Sequence, residues 1–308
     1  MNKLSTKPLI QVYTDQLTSF FETTTIGSYL AIIMIGNDPG SAIYVRNKIQ
    51  FGKRIGCQVK LFDDKRLSDN NSDYPMFSGK DIYNTVQRLI YRLNDDPLCL
   101  GVVIQLPLPD SVKPYQQALC DTIYPSKDCD AMSSYMMGRM AVGMSGVIYP
   151  AVVNACLEIL DYAIHQGIID ILKGQQISII GQSNLVGKPL LLALINRGVQ
   201  VHSFGIDSEV EPMKHITSMS NSIISGTGNL GLVDQTWIGD RTRLIIDVGY
   251  GFDEHGHACG DVDADSIQSL SGWYTPVPGG VGPLCVTMLF VTIMNLVRNK
   301  TSNNFSSS

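Results

Sequence analysis

Short apolar runs alternate with amphipathic stretches along most of the chain. The apolar runs predict strands at 28–36, 57–63, 100–109, 199–205, 222–228 and 243–249, and at the start of 176–198. Helical spacing of apolar residues predicts helices at 41–56, 78–94, 149–164 and 284–298, and in the second half of 176–198. Strands that are covered on both faces read as continuous Val, Ile and Leu runs. The alternation therefore predicts an α/β fold with parallel sheets and helices on their faces.

A change in the pattern near 145–150 predicts two lobes with a cleft between them. We expect an N-terminal α/β domain over 1–147 and a second, Rossmann-like parallel-sheet domain over 148–283. The final helix, 284–300, follows a segment rich in Pro and Gly, so we expect it to pack back on the first domain. The polar residues 301–308 predict a disordered tail.

Composition narrows the classes of function. The chain has 308 residues, 44% of them hydrophobic and 17% charged, with a formal net charge of -5. No long basic stretch occurs, so nucleic acid is not an expected partner. The first residues lack the apolar core of a signal peptide, and the apolar run 284–297 is too short to span a bilayer, so no membrane is expected. Seven cysteines without a CxxC pair predict reduced thiols and a cytoplasmic protein.

The stretch GQSNLVGKP, 181–189, lies between a predicted strand and a predicted helix. A glycine turn at such a point aims backbone N–H groups and the helix dipole at a phosphate. The spacing fits neither a P-loop nor GxGxxG, so a tight turn without a ligand is an equal interpretation. The glycines of SGTGN (225–229) and DVGYG (247–251) follow two further strands. Together the three strand ends predict a ligand-binding rim.

Several polar side chains are candidates in the first domain. Tyr44 and Lys48 are four residues apart on a predicted helix, so they project from one face. A lysine there is commonly solvated, whereas in a water-poor site it can transfer a proton near neutral pH. Gln105 falls inside an apolar strand, where its amide needs a core group or a ligand as partner. Asp128 and Asp130 fit either helix capping or binding to a polar heterocycle, and capping is the simpler interpretation.

Two further segments stand out by composition. HGHAC, 255–259, has the residue types of a metal site, but it is one short loop without a second ligand cluster, so no metal is expected. The segment 275–283 holds three prolines and three glycines, which exclude a helix or a central strand. Such a stiff, bare backbone predicts a place where a ligand approaches closely.

Six motifs carry a resemblance. They are YVRNK (44–48), GVVIQLPLP (101–109), KDCDA (127–131), GQSNLVGKP (181–189), GDVD (260–263) and TPVPGGVGP (275–283). In order and spacing the chain resembles the bifunctional methylenetetrahydrofolate dehydrogenase/methenyltetrahydrofolate cyclohydrolase family over about 28–298, apart from an apparent insertion at 68–75. The resemblance implies a folate-binding catalytic domain and a dinucleotide-binding domain. It also implies oxidation of 5,10-methylenetetrahydrofolate with NADP or NAD, and hydrolysis of the methenyl product to 10-formyltetrahydrofolate.

The resemblance also implies a role for individual residues. Lys48 transfers protons, Gln105 orients it, Asp130 binds the pterin ring and Tyr44 stacks on the aminobenzoyl ring. The implied substrate contacts are Tyr44, Gln105, Leu106, Pro107, Asp130, Pro278, Gly279 and Gly280. The implied cofactor contacts are Gly181, Gln182, Ser183, Val186, Gly187, Ser208, Gly228, Asp247 and Gly249. A homodimer is implied as well.

The chain departs from the family pattern mainly on the dinucleotide side. Gln182 stands where an arginine commonly meets the 2′-phosphate of NADP, and an amide cannot form that charge-assisted pair. Asp207 adds a negative charge after the next strand, and Ala131 stands where the family has glycine. Three interpretations stay open: a bifunctional enzyme with NADP or NAD, a relative that retains only the hydrolysis, and a folate-binding protein without turnover.

Overall fold

The computed structural model of the chain describes residues 1–24, 26–64, 67 and 78–305. Its strands are β1 Asn2–Lys3, β2 Tyr29–Ile33, β3 Gln58–Phe62, β4 Cys99–Ile104, β5 Gln176–Ile180, β6 Gln200–Phe204, β7 Ser222–Ser225, β8 Leu244–Asp247, β9 Gly251–Phe252, β10 Ala258–Cys259 and β11 Trp273–Tyr274. Its helices are α1 Lys7–Glu22, α2 Pro39–Arg54, α3 Gly79–Asp95, α4 Gln116–Thr122, α5 Ser134–Ala141, α6 Ala151–His165, α7 Gly187–Asn196, α8 Val210–Ser218 and α9 Val281–Phe305.

The chain forms two compact units. The three-stranded unit comprises Val12–Arg139, Gly146–Ala151 and Leu289–Ser308. The six-stranded unit comprises Met1–Gln11, Met140–Ser145 and Val152–Met288. Each unit combines a parallel sheet with helices, so the predicted α/β class is confirmed.

The three-stranded unit is built on a parallel sheet in the order β3-β2-β4. Every residue of β2 and β4 is buried, as their continuous apolar runs predict. Helix α3 begins with a capping box, in which the Ser78 hydroxyl accepts from the Asp81 N–H and the Asp81 carboxylate accepts from the Ser78 N–H. In the same unit, the Phe290 ring on α9 lies 5.5 Å from Phe51 and 6.4 Å from Phe21.

The six-stranded unit has the order β1-β11-β8-β7-β5-β6, with neighbouring strands parallel. After the edge strand β1, the chain returns to this sheet at β5, adds β6 on one side, and then crosses to β7 on the other. The order of connection therefore reverses between β5 and β7, and ligands of such sheets bind at this switch point. The antiparallel pair β9–β10 forms a separate small hairpin.

The units differ from the predicted domains at the N-terminus and in three shorter stretches: residues 140–145 and 284–288 belong to the six-stranded unit and residues 148–151 to the three-stranded one. Met1–Gln11 was expected in the first domain but belongs to the six-stranded unit. The reason is that Asn2 and Lys3 pair with Trp273 and Tyr274 and thereby extend the six-stranded sheet. A two-residue strand has too little apolar pattern for sequence to reveal it.

Helix α9 is longer than its apolar run predicted. It extends from Val281 to Phe305, so the expectation that this run is too short to span a bilayer is wrong on length. By length and composition alone, Val281–Asn299 could cross a membrane, but 61% of its apolar window is buried inside the structure, as in a core helix. The helix also continues through 301–305, which were expected to be disordered, while 306–308 lie outside the described residues. The apparent insertion at 68–75 lies outside them as well.

Two helical glycines of the three-stranded unit test its packing. A Cβ at Gly52 of α2 would lie 2.6 Å from Val59 Cγ2 and 2.9 Å from the Cys57 carbonyl oxygen, whereas a Cβ at Gly138 of α5 meets nothing within 4 Å. We expect Gly52→Ala to lower the free energy of unfolding by about 1–3 kcal/mol through overpacking. Gly138→Ala should raise it by about 0.5–1 kcal/mol, because alanine loses less backbone entropy in a helix. Denaturant unfolding followed by circular dichroism measures both, and changes of the same sign would contradict the packing described.

Candidate active site

A buried lysine–glutamine pair lies at the carboxyl edge of the three-stranded sheet. The Lys48 Nζ atom, on α2, donates to Gln105 Oε1 over 3.0 Å. Lys48 is 9% exposed and Gln105 is 8% exposed. The sequence placed these residues on separate elements, 57 positions apart, and the structure brings them into direct contact. A buried ammonium and a buried amide satisfy each other in this way.

Gln105 follows β4 instead of lying inside it, so the prediction of a strand over 100–109 was too long. Its N–H donates to the Ile33 carbonyl at the end of β2 over 2.8 Å, and its Nε2 atom donates to the Leu106 carbonyl over 2.9 Å. Pro107 comes next, and Ser41 Oγ donates to the same Leu106 carbonyl over 3.0 Å. The loop that carries Gln105 is therefore tied to the start of α2.

Strand order places this pair at a site suited to ligands. In the sheet β3-β2-β4 the chain runs first through the central strand β2, then through β3 and β4 on opposite sides. Gln105 is thus at the switch point, outside the carboxyl ends of β2 and β4. Tyr44 lies one turn before Lys48 on α2 and is partly buried. The predicted shared face of Tyr44 and Lys48 is consistent with this helix.

The motif 127–131 contains one carboxylate that caps a turn and one that meets a helix. Asp128 is 1% exposed, and its two oxygens accept from the Met132 and Ser133 N–H groups over 3.2 and 3.0 Å. Both donors precede α5, so Asp128 closes the turn before this helix and does not cap the helix itself. Burial raises the pKa of Asp128 above its usual value. Asp130 Oδ1 accepts from the N–H of Ala151, the first residue of α6, over 3.4 Å.

Ala131 has a left-handed backbone, with φ of 53°. This region favours glycine because a Cβ atom crowds the neighbouring carbonyl. The conformation explains why the resemblance leads to the expectation of glycine at this position. Here alanine adopts it in a fully buried place.

The predicted nucleotide turn lies at the switch point of the six-stranded sheet. Gly181 follows β5 with φ of 109°, and a Cβ there would come within 2.5 Å of the Gly226 carbonyl oxygen, after β7. Gly187 begins α7, where a Cβ would lie 2.7 Å from the Gly181 carbonyl carbon. Ser183 Oγ accepts from the Val186 N–H over 3.1 Å and shapes the turn. Bare backbone at a helix start is the kind of cradle that a phosphate fits.

The side chain of Gln182 is anchored on the neighbouring strand. Its Nε2 atom donates to the Ser203 carbonyl and to Ser203 Oγ, over 3.2 and 3.1 Å. Its Oε1 atom lies beside Gly205, 2.7 Å from where a Cβ would stand. Ser208 Oγ accepts from the Gly205 N–H over 3.1 Å, which closes the turn after β6. The Gln182 amide nitrogen is thus used in hydrogen bonds to Ser203, and the Gln182 Oε1 atom lies beside Gly205 at the end of β6.

Asp247 has a different environment from the one that a cofactor contact suggests. It is 3% exposed, and its carboxylate accepts from the Gly249, Asp261 and Val262 N–H groups over 2.9, 3.0 and 3.0 Å. Asp247 can therefore meet a ligand only through its main chain. Gly228, in contrast, has φ of 76° and open space where a Cβ would stand.

Sequence reasoning did not single out Asp261, Ser225 and Thr227. Asp261 is fully buried, and its Oδ2 atom accepts from Ser225 Oγ, the Thr227 N–H and Thr227 Oγ1 over 2.8, 2.6 and 2.9 Å. The GDVD motif was noticed as part of the resemblance. Its partners lie more than thirty positions away, so spacing gave no signal for this cluster.

The Pro/Gly segment after β11 belongs to the six-stranded unit. Thr6 Oγ1 donates to the carbonyls of Gly279 and Gly280 over 3.2 and 3.0 Å. A Cβ at Gly280 would lie 2.6 Å from the Pro276 carbonyl oxygen, so this glycine is needed for local packing. Gly279, next to Pro278, has φ of 106° and open space beside it, so its backbone is accessible to a ligand.

Neither the histidine loop nor the cysteines form a reactive cluster. Within the described residues, no group of three or more His, Cys, Asp or Glu side chains is arranged to hold a metal ion. All seven cysteines are free, and five are buried. Burial raises the pKa of the Cys57 and Cys120 thiols to about 12 and that of Cys99 to about 11, which makes them inert at neutral pH.

Asp247 makes stability depend on pH. Burial raises its pKa from 3.8 to about 6, with a further increase from the Asp261 charge, so the folded chain binds a proton more readily than the unfolded chain between these values. We expect its contribution to make the free energy of unfolding rise, by up to about 3 kcal/mol, as pH falls from about 6 to about 4. Asp247→Asn should remove this part of the slope, and the exposed Asp240→Asn should keep it. Denaturant unfolding at each pH measures the slopes, and an unchanged slope in Asp247→Asn would refute the assignment.

Comparison with known proteins identifies the family. Residues 4–130 match the model of the tetrahydrofolate dehydrogenase/cyclohydrolase catalytic domain, and residues 150–301 match that of its NAD(P)-binding domain. The bifunctional protein FolD of Polaromonas naphthalenivorans is 33% identical over 269 residues, covering 86% of each chain, and that of Halalkalibacterium halodurans is 31% identical, covering 87% and 88%. The crystal structure of the bifunctional enzyme FolD from Campylobacter jejuni, a methylenetetrahydrofolate dehydrogenase/cyclohydrolase, aligns with a TM-score of 0.84 at 28% identity, covering 97% of this chain and 99% of that one. The chain belongs to the tetrahydrofolate dehydrogenase/cyclohydrolase family and contains the catalytic and NAD(P)-binding domains of that family.

Proposed function

We propose that the protein oxidises 5,10-methylenetetrahydrofolate with NAD or NADP and hydrolyses the methenyl product to 10-formyltetrahydrofolate. The observation that carries the proposal is the buried contact between Lys48 Nζ and Gln105 Oε1 at the switch point of the three-stranded sheet. Ligand binding alone does not require a buried ammonium. Hydrolysis does require a group that moves protons, because water must be activated and a nitrogen leaving group protonated.

Lys48 is the proposed proton-transfer group of the hydrolytic step. Gln105 accepts from one of its three N–H donors and so fixes the direction of the ammonium. Water adds to the methenyl carbon and loses both of its protons as the formyl C=O forms and one carbon–nitrogen bond breaks. One proton reaches the departing nitrogen through Lys48, and the other leaves to solvent as the positive charge of the methenyl cation is discharged. Tyr44, one helical turn away, and Asp130 are the proposed contacts to the aminobenzoyl and pterin rings.

The oxidative step needs alignment more than acid or base catalysis. The lone pairs of the two flanking nitrogens stabilise the cation that remains when hydride leaves the methylene carbon. The nicotinamide dinucleotide supplies the hydride acceptor when bound. The turn at Gly181 and Gly187 would hold the pyrophosphate of that group, since it offers bare backbone at the start of α7. The turn requires glycine at both positions, because a Cβ would clash with the backbone of Gly226 or of Gly181. Because this cradle is intact, we propose both steps and not hydrolysis alone.

The remaining substrate contacts are also proposals. Leu106 and Pro107 follow Gln105 in the loop tied to α2. Pro278, Gly279 and Gly280 belong to the segment held by Thr6, and Gly279 offers bare backbone. These positions supply shape and main-chain groups, which suits a planar heterocycle.

Cytoplasmic location and a homodimer complete the proposal. Seven free cysteines are typical of a reducing compartment. The dimer rests on family membership, and most homo-oligomers of this size are twofold dimers.

Lys48→Met tests the assignment of the proton-transfer group. We expect hydrolysis of methenyltetrahydrofolate to fall by about 10²–10⁴-fold, the usual contribution of a positioned acid or base. Hydride transfer should fall far less, since it needs no proton from Lys48. The control is Lys53→Met, which removes an exposed lysine from the same helix. Hydrolysis that survives in a folded Lys48→Met variant would refute the role of Lys48.

We propose further that Gln182 shifts the cofactor preference from NADP towards NAD. Its amide nitrogen is committed to Ser203, so an acceptor oxygen remains, and the exposed Asp207 adds negative charge nearby in sequence. Acceptors suit a ribose hydroxyl and repel a 2′-phosphate.

Gln182→Arg tests this preference. An arginine makes a charge-assisted pair with phosphate, so we expect kcat/KM for NADP relative to NAD to rise by about ten-fold or more. Gln200→Arg is the matched control, because it adds the same charge at the opposite, amino end of β6. A ratio that changes equally in the two variants would contradict a local effect.

A further inference from the structure

Two carboxylates, those of Asp247 and Asp261, are buried at the carboxyl edge of the six-stranded sheet. Asp247 ends β8 and is 3% exposed, and Asp261 is fully buried. Among the residues that the structure describes, no Lys, Arg or His side chain forms an ion pair with either. Carboxylates removed from water without a counter-ion are costly, so hydrogen bonds must hold them.

A chain of hydrogen bonds links Asp247 to Asp261, and Asp261 to the loop after β7. Asp247 accepts from the Asp261 N–H, which fixes the main chain at Asp261. Asp261 Oδ2 then accepts from Ser225 Oγ and from both the N–H and Oγ1 of Thr227. Thr227 Oγ1 in turn accepts from the Asn229 N–H over 3.0 Å. The loop after β7, residues 225–229, is thus positioned by a side chain from a distant part of the chain.

This loop is part of the dinucleotide cradle. The Gly226 N–H donates to the Ile180 carbonyl over 2.9 Å, and the Gly226 carbonyl packs so closely on Gly181 that no Cβ fits between them. A displacement of the loop would therefore move the Gly226 main chain, on which the turn at 181–187 packs. The backbone beside the carboxylates is bare as well, because Cβ atoms at Gly249 and Gly260 would collide with Asp261 and Asp247.

The second oxygen of Asp261 distinguishes this cluster from an ordinary turn cap. Asp261 Oδ1 is buried and has no hydrogen-bond partner among the described residues. A neutral serine, threonine or asparagine would supply an acceptor without the cost of burying a charged oxygen that has no partner. Three donors converge on the single Oδ2 atom, and an ionised acceptor forms stronger hydrogen bonds than a neutral amide oxygen does, so the negative charge is what favours aspartate here.

We propose that Asp261 is a positioning residue for the dinucleotide, acting through Ser225 and Thr227 to hold the 225–229 loop against the 181–187 turn. This inference rests on the proposed dinucleotide-dependent function. Asp261 itself does not touch the ligand, since its side chain has no exposed surface.

The test measures dinucleotide binding and folate hydrolysis separately on the full chain. Asp261→Asn should raise the dissociation constants of NAD and NADP, and the KM for the dinucleotide, by about ten-fold or more. The hydrolysis of methenyltetrahydrofolate and the KM for methylenetetrahydrofolate should stay within two-fold of the original protein. A residue that only stabilises the fold would instead lower both activities together. Asp265→Asn, which removes an exposed carboxylate four residues later, should leave all of these values unchanged.

Thr227→Val covers the case in which Asp261→Asn fails to fold. It removes one of the three donors to Asp261 while keeping the side-chain shape, and it should raise the dinucleotide dissociation constants several-fold with hydrolysis intact. Unchanged dinucleotide binding in a folded Asp261→Asn or Thr227→Val variant would overturn the positioning role. If the unmodified protein bound neither NAD nor NADP, the proposed function would fail first, and the inference with it.

Discussion

A polar side chain buried at the carboxyl edge of a parallel sheet must find its partner within the protein. Both candidate sites depend on this constraint. In the three-stranded unit it joins Lys48 to Gln105. In the six-stranded unit it joins Asp261 to Ser225 and Thr227. The pairing fixes loops that would otherwise be free to move, so the same contacts that satisfy buried groups also position the chemistry.

Sequence patterns predicted the elements that carry long apolar runs. Strands β2 and β3 and helices α2 and α3 lie within three residues of their predicted bounds, whereas β4 ends five residues before its predicted end. Burial on both faces leaves a continuous apolar signal in β2 and β4. The motifs placed Lys48 and Gln105 as candidates, and Gly181 and Gly187 at the cofactor turn. Periodicity could not predict the distance between Lys48 and Gln105, because their contact depends on how α2 packs on the sheet.

Other features left no local pattern to read. Strand β1 has two residues and joins its sheet only through pairing with β11, which is about 270 positions away. Helices α4 and α5 have seven and eight residues, too few for a repeating apolar face. The resemblance implied Asp247 as a cofactor contact and gave Asp261 only as part of the GDVD motif, and only their burial and hydrogen bonds show that they hold loops. Folding joins distant residues, so these contacts belong to tertiary structure and not to local propensity.

The most direct test of the account is an assay of the purified protein with 5,10-methylenetetrahydrofolate, with NAD and NADP in parallel. The reduced dinucleotide, the methenyl product and 10-formyltetrahydrofolate would be followed separately. The account predicts reduction of at least one dinucleotide and conversion of added methenyltetrahydrofolate to the formyl product faster than in buffer. Reduction of neither dinucleotide, or hydrolysis no faster than in buffer, would contradict it.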